Sequence, residues 1–369
     1  MGALAFLLFL VLAAPAAGRE PFFGVSLNHV FNERVDPERW DGLLDGVQAG
    51  GIRQARTDAF WHWVERGRPF DVDVPLWDWG RTDLMMRMML RHGIRWAPVL
   101  SGPPSWERVE RRELHSPPRS MERYARFVGA FARRYGRGGS FWSDGSAGDL
   151  PYEPVTTYEI WNEPNLSNFW APRVQPERYA EMYVLAREAI HAVDPEAVAI
   201  VGGLTAAADG FLEKMYAARP DLAGAVDAVG LHPYSRTARG TVGWVRKLRQ
   251  SLSALGEHGV PIYVSELGWP TRGRYTGRVL SDEDRAFAME LAANSLARGN
   301  CNVRGVVAFS WVSPQKDPEF DDDWYALYEP GRGLGKTGEA FLALAATAPH
   351  ERPTAVPACG PLPPGSGAG

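Results

Sequence analysis

The chain has 369 residues, 45% of them hydrophobic and 23% charged, and a formal net charge of −4. This is the composition of a globular protein long enough to bury a large core without staples. No basic stripe is present, which argues against nucleic acid as a partner.

The first segment is an apolar run, Ala3 to Ala14, followed by the small residues Pro15, Ala16, Ala17 and Gly18. It has the form of a signal-peptide core with a small-residue cleavage site, and it is short for a membrane span. Met1 and Gly2 supply no positive charge. Residues 1–18 are therefore expected to be a leader for export or a retained N-terminal anchor. Short β-rich apolar runs follow at 22–26, 52–56, 95–100, 157–162, 198–202, 228–231, 261–266 and 305–310. They read as strands buried on both faces.

Helical patterns separate these runs. Asp36-Pro37 caps the first helix and Gly50-Gly51 ends it. A Met-rich helix covers 83–91, its methionines spaced to pack on a sheet rather than to bind metal. Further helices are expected at 120–135, 176–193, 210–218, 242–258, 282–298 and 337–346. Ser281 caps one of them, and acidic residues 282–284 place negative charge at its positive end.

Strands and helices in strict alternation imply right-handed crossovers and a parallel sheet. The simplest closure is a (β/α)₈ barrel, which takes about 250 residues. It forms one domain over residues 19–348, leaving a Pro/Gly-rich tail at 349–369 that is expected to be mobile. An open doubly wound sheet is the alternative, but no glycine-rich turn follows the first strand. Cys301 precedes the eighth strand and Cys359 lies in the tail. The two are either a disulfide pinning the tail to the barrel bottom or two free thiols.

In a barrel of this kind, residues at C-terminal strand ends carry catalysis. Two strands lead into a carboxylate there. The fourth runs into Trp161-Asn162-Glu163-Pro164-Asn165, the seventh into Ser265-Glu266-Leu267-Gly268-Trp269. Glu159 lies deeper in the fourth strand and reads as a structural ion-pair partner. Other chemistries fail on their patterns. Gly331 to Thr337 lacks the first glycine of a phosphate loop, HExxH and the GxSxG serine elbow are absent, and the cysteines are not in CxxC. No metal site and no cofactor are expected. Asn165-Leu166-Ser167 fits a glycosylation sequon, but a glycan two residues from Glu163 would block the mouth.

The two motifs resemble the acid/base and nucleophile motifs of clan A retaining glycoside hydrolases, and are most similar to family 39-like members and to some family 5-like endoglycosidases. Further segments agree: Arg56 and Trp61 with the clan's second strand, His232 and Tyr234 with its sixth, and Trp311 with the tryptophan ending its eighth. The resemblance covers about residues 22–347.

It implies a carbohydrate substrate, with no nucleic acid or protein partner, and double displacement at an O-glycosidic, β-type bond. Glu163 would be acid/base and Glu266 nucleophile, their carboxyl groups about 5–5.5 Å apart. At that distance Glu163 is expected to have a raised pKa while Glu266 stays ionised. Arg56 would stabilise Glu266, Tyr234 would donate to it, and Asn162 would bind the sugar 2-hydroxyl. His232, Trp106, Trp269 and Trp311 complete the expected substrate-binding set. An inactive secreted carbohydrate-binding barrel and a transglycosylase are the competing readings. Specificity is expected in the loops 100–118, 166–176, 234–240 and 313–325. The acidic run 319–323 makes an anionic substrate less attractive.

Overall fold

The computed structural model describes residues 21–65, 67, 74–273, 279–313, 316–347 and Cys359. The leader expected at 1–18 and, apart from Cys359, the tail lie outside the described residues.

Eight parallel strands close a barrel in sequence order. They are β1 (Phe23–Ser26), β2 (Gln54–Phe60), β3 (Arg95–Ser101), β4 (Thr157–Ile160), β5 (Val198–Leu204), β6 (Ala228–Leu231), β7 (Ile262–Leu267) and β8 (Val303–Ala308). The last strand returns to the first through the pairs Phe23↔Val306 and Val25↔Ala308. The helices are α1 (Trp40–Ala49), α2 (Trp61–Val64), α3 (Gly80–Arg91), α4 (Met121–Tyr135), α5 (Ser140–Ser143), α6 (Pro176–His191), α7 (Ala208–Ala218), α8 (Ala238–Ala254), α9 (Asp282–Arg298) and α10 (Lys336–Ala346). A two-stranded hairpin, β9 (Tyr328–Glu329) with β10 (Gly333–Leu334), precedes α10.

The expected alternation is therefore the observed one, and the departures have local causes. β2 runs to Phe60 rather than stopping at Arg56, because polar Thr57 and Asp58 still pair with Pro98 and Val99 of β3. β4 stops at Ile160 instead of Asn162, because Trp161 enters the left-handed region at φ 72°. α8 begins before residue 242, where Thr237 accepts the amide of Gly240 as a cap. Gly240 reads as a breaker in sequence, which hid that start. α4 shows the general pattern: Ser120 caps it by accepting from the Arg123 amide, and Tyr124, Phe127, Val128, Phe131 and Tyr135 face the barrel at helical spacing.

Cys301 and Cys359 form a disulfide, with Cα atoms 4.8 Å apart. Cys301 stands just before β8, at the end of the barrel opposite the mouth. Of the two states left open by the sequence, the bonded one is present.

Candidate active site

The mouth of the barrel holds a network of charged side chains that no single strand contributes. Arg56, inward on β2 and 2% exposed, lies at its base. Its Nε and Nη2 donate to the two carboxylate oxygens of Glu159 at 2.8 and 2.9 Å. Nη1 donates to Glu266 Oε1 at 2.7 Å, and Nη2 also donates to Asn162 Oδ1 at 2.8 Å. One guanidinium thus ties β2, β4 and β7 together in the geometry that suits a planar fork. Glu159 also accepts the amide of Gly203 on β5 at 2.8 Å. Burial opposes its charge, but the contacts with Arg56 win and hold its pKa below the usual carboxylate value. It is the structural ion-pair partner expected from its depth in β4.

Glu163 reaches the mouth because the chain turns sharply past β4. Trp161 and Glu163 both take positive φ, 72° and 46°, a region costly for residues with a Cβ. Contacts pin the turn: the Trp161 amide donates to Leu100 O at 3.0 Å, and its indole N–H donates to Phe169 O at 2.6 Å. Asn165 accepts from the Thr205 amide and donates to Ala206 O. Its carboxamide is engaged on both sides, which fits the discounting of the sequon.

His232 stands between the two acids and is completely buried. Its Nδ1 lies 2.7 Å from Glu163 Oε1 and 3.4 Å from Glu266 Oε2, and its Nε2 lies 3.1 Å from Ser265 Oγ. Desolvation lowers its pKa and Arg56 adds to the effect, although Glu266 opposes it. A neutral ring facing two carboxyls through Nδ1 carries its proton there and accepts from Ser265 at Nε2. The ring fits only because β5 offers glycine beside it: a Cβ on Gly203 would lie 2.0 Å from Nε2. The ligand-type atoms of Glu163, His232 and Glu266 all lie within 4.8 Å of one another. The same trio offers metal-ligand chemistry, but the 2.7 Å contact is that of a direct hydrogen bond.

Glu266, at the end of β7, also accepts from the Tyr234 hydroxyl at 2.7 Å. Its pKa is raised: burial is the largest cause, Glu163 adds to it, and His232, Arg56 and Tyr234 pull the other way. Glu266 was expected to stay ionised; burial and Glu163 work against that charge, and His232, Arg56 and Tyr234 support it. Tyr234, half-buried beside Glu266, has its pKa raised well above the usual tyrosine value, by desolvation first.

Several expected substrate contacts are placed otherwise. Arg56 and Tyr234 direct donors at the carboxylates, and His232 faces them through Nδ1. Asn162 is half-buried, and with Oδ1 held by Arg56 its amide N–H₂ remains to meet a hydroxyl. Trp311 is fully buried, stacked on Tyr328 at 5.5 Å, with its indole N–H on Leu43 O of α1. It does not line the mouth, because β8 ends at Ala308 and Trp311, three residues later, packs against α1 and Tyr328 instead.

The aromatic ring that takes the expected place is Phe309. It lies edge-on to Tyr234 at 6.5 Å, to Tyr325 at 5.3 Å and to His29 at 5.7 Å. Its place near the end of the apolar run 305–310 was the available signal. Trp269 is 1% exposed, its N–H on Ser235 O, and it braces the loop after β6 instead of offering a face. Trp106 lies under the Arg123 guanidinium at 4.6 Å and edge-on to Trp61, which itself stacks on Phe127 of α4.

Sequence reasoning missed Asp58. Two residues past Arg56, it shares that residue's inward face of β2. Burial raises its pKa to about 7; Glu266 and Glu159 add to this, while Arg56 opposes it. A lone Asp after Arg-Thr carries no motif, so only the assembled barrel shows it beside Glu266.

The closed barrel and the two carboxyls at its mouth are the arrangement that the sequence resemblance to clan A glycoside hydrolases implies. A model described as glycosyl hydrolases family 39 matches residues 115–257, which include Asn162, Glu163, His232 and Tyr234. No curated protein matches the chain in sequence. Among solved structures, it is similar to a monomeric β-xylosidase from Caulobacter crescentus CB15, at 20% identity and a TM-score of 0.66 over 90% of this chain and 69% of that one. It is similar also to a family 39 enzyme from Xanthomonas axonopodis pv. citri, at 18% identity and 0.67 over 90% and 68%. A third is a family 5, subfamily 18 enzyme from Streptomyces cattleya in complex with GlcNAc, at 16% identity and 0.64 over 92% and 82%. The resemblance carried by the two carboxylate motifs is thus met in the fold as well.

Proposed function

We propose that the chain hydrolyses β-type O-glycosidic bonds with retention, Glu163 serving as acid/base and Glu266 as nucleophile. The observation that carries this reading is the approach of the two carboxyls to within 4.8 Å, bridged by one imidazole. Inverting enzymes hold theirs about 6.5–9.5 Å apart to admit water, retaining ones about 5–5.5 Å.

Two carboxyls this close do not both ionise, so the pair carries one proton between them. Glu266 attacks the anomeric carbon while Glu163 gives its proton to the leaving oxygen. The C–O bond to the leaving group breaks as the ester bond to Glu266 forms. Glu163, now ionised, takes a proton from water, whose oxygen displaces Glu266 and restores both groups. Arg56 and Tyr234 hold Glu266 on line throughout. Asn162 binds the sugar 2-hydroxyl, where contact strengthens in the transition state.

The test is release of reducing ends from polysaccharides and aryl β-glycosides by the wild type, Glu163→Gln and Glu266→Gln. Glu163→Gln is expected to lose about 10²–10⁴ in rate, and Glu266→Gln nearly all activity. Proton NMR of the first product is expected to show the anomeric configuration of the substrate. An inverted product would refute the mechanism. Binding without cleavage would favour the carbohydrate-binding reading, and products longer than the substrate the transglycosylase.

We also read residues 1–18 as a leader for export. The Cys301–Cys359 disulfide supports this, since such bonds persist in oxidising compartments. Recovery of the protein from the medium with an N-terminus near residue 19 would test it.

A further inference from the structure

The catalytic pair occupies only one side of the barrel mouth. A cleft of about 1100 Å³ opens on the other, between the ends of β1, β2, β3 and β8, lined among others by His29, Arg34, Phe60, His62, Arg108 and Lys316. Rings connect it with the carboxylates. His29 meets Phe309 at 5.7 Å, Phe309 meets Tyr234 at 6.5 Å, and the Tyr234 hydroxyl bonds to Glu266. The floor continues β2 itself. Phe60 lies two residues beyond Asp58 and four beyond Arg56, and its ring stacks on His62 at 5.3 Å with 20° between planes. Glu33 holds that platform by accepting from the Trp63 indole at 2.6 Å and lying 3.0 Å from His62 Nε2. Arg34 is exposed at the wall.

The direction of the sugar follows from the site. C1 must lie between Glu163 and Glu266, and the 2-hydroxyl at Asn162, which Arg56 of β2 holds. A ring so anchored at β4 and β7 has its C3 and C4 edge free to face the opposite side of the mouth, where Phe60 and the cleft lie. The leaving group lies on the Glu163 side. Chain attached at C3 or C4, on the non-reducing side of the cleaved residue, therefore enters the cleft. An enzyme that removes only terminal sugars closes this side to make a pocket. Among the described residues it is open, with a flat aromatic pair and guanidinium groups suited to ring faces and hydroxyls.

Resting on the hydrolase reading above, we infer that this cleft is a glycone-side subsite for at least one further sugar, so that the enzyme cleaves within neutral oligosaccharide chains rather than releasing terminal residues. The balance of cleft charges, with Arg34, Arg108 and Lys316 against Glu33, Asp317 and Asp323, favours an uncharged occupant.

The probes are matched p-nitrophenyl β-glycosides: xyloside with xylobioside, glucoside with cellobioside, mannoside with mannobioside. Nitrophenol release gives kcat/KM, and chromatography identifies the sugar set free. For the sugar that is cleaved, the bioside is expected to exceed the monoside at least tenfold and to yield an intact disaccharide. Arg34→Ala and Phe60→Ala are each expected to lower the bioside-to-monoside ratio at least threefold. The first, at an exposed position, keeps the test valid if the second misfolds. Equal kcat/KM for the pair, or monosaccharide released stepwise from the non-reducing end, would overturn the inference and leave the hydrolase standing. No turnover of any probe, with no cleavage on the broader panel, would overturn both.

Discussion

Nδ1 of His232 lies between Glu163 and Glu266, and the Tyr234 hydroxyl bonds the second of them. Because burial raises Glu266, falling pH protonates it earlier than it would an ordinary carboxylate, which on the proposed mechanism removes the nucleophile. The acid limb of kcat/KM is therefore expected above the usual value of 4.5. Tyr234→Phe removes one stabiliser of the anion, so the limb should move further up in pH. A hydrogen bond to a charged group contributes about 1.5–3 kcal/mol, so the rate should fall roughly 10- to 100-fold. A pH–rate profile checks both; a lowered plateau with an unmoved limb would assign Tyr234 a purely structural part. Asp58 gives a stability counterpart. Its folded pKa is raised from 3.8 to about 7, so the folded state binds the proton more tightly than the unfolded. Its neutral form suits the fold below pH 3.8, and stability is lost as pH rises from there through about 7. Asp58→Asn is expected to melt higher than wild type at pH 8 and alike at pH 3.5. Thermal melts at the two pH values decide the matter.

The elements place these residues with little slack. Gly203 lets the β5 backbone pass beside His232, and its own amide bonds to Glu159. Gly203→Ala must push the imidazole away from its place or displace β5. Activity is expected to fall about 100-fold or more, in line with the effect of small misplacements of catalytic groups. Circular dichroism should change little, and loss of the folded spectrum would mean that the strand yields instead of the ring. At this scale most of the architecture was legible from sequence. Buried strands of β-branched residues between capped helices, with carboxylates at two strand ends, led to the barrel and the pair. The ends of β2, β4 and β8 were not. Arg-Thr-Asp reads as the close of an apolar run although the ladder continues through it. Trp161 reads as strand although its backbone turns left-handed. Trp311 matched a residue type, whereas the barrel assigns the mouth to Phe309. Roles were harder than places, because the contacts of Arg56, His232 and Tyr234 with the carboxylates form only through partners on other strands.

The molecule as a whole keeps chemistry and cross-linking at opposite ends. The carboxylates lie at the C-terminal ends of β4 and β7, the disulfide just before the start of β8. With its cysteines 58 positions apart in the chain, the bond should contribute on the order of 2–4 kcal/mol. Cys301→Ser is expected to lower the melting temperature by several degrees without altering kcat at 25 °C. An equal loss of rate at that temperature would show that the bottom of the barrel shapes the mouth. The network around Arg56 has a kinetic consequence. Its contact with Glu266 joins residues 210 apart in the chain, and that of His232 with Glu163 joins residues 69 apart. Such distant meetings come late, after local helices have formed. During refolding, helical signal should therefore appear before turnover. A chain cut between β4 and β5 would divide Glu163 from Glu266, leaving each half inert and making regained activity a direct report that the ring of strands has closed.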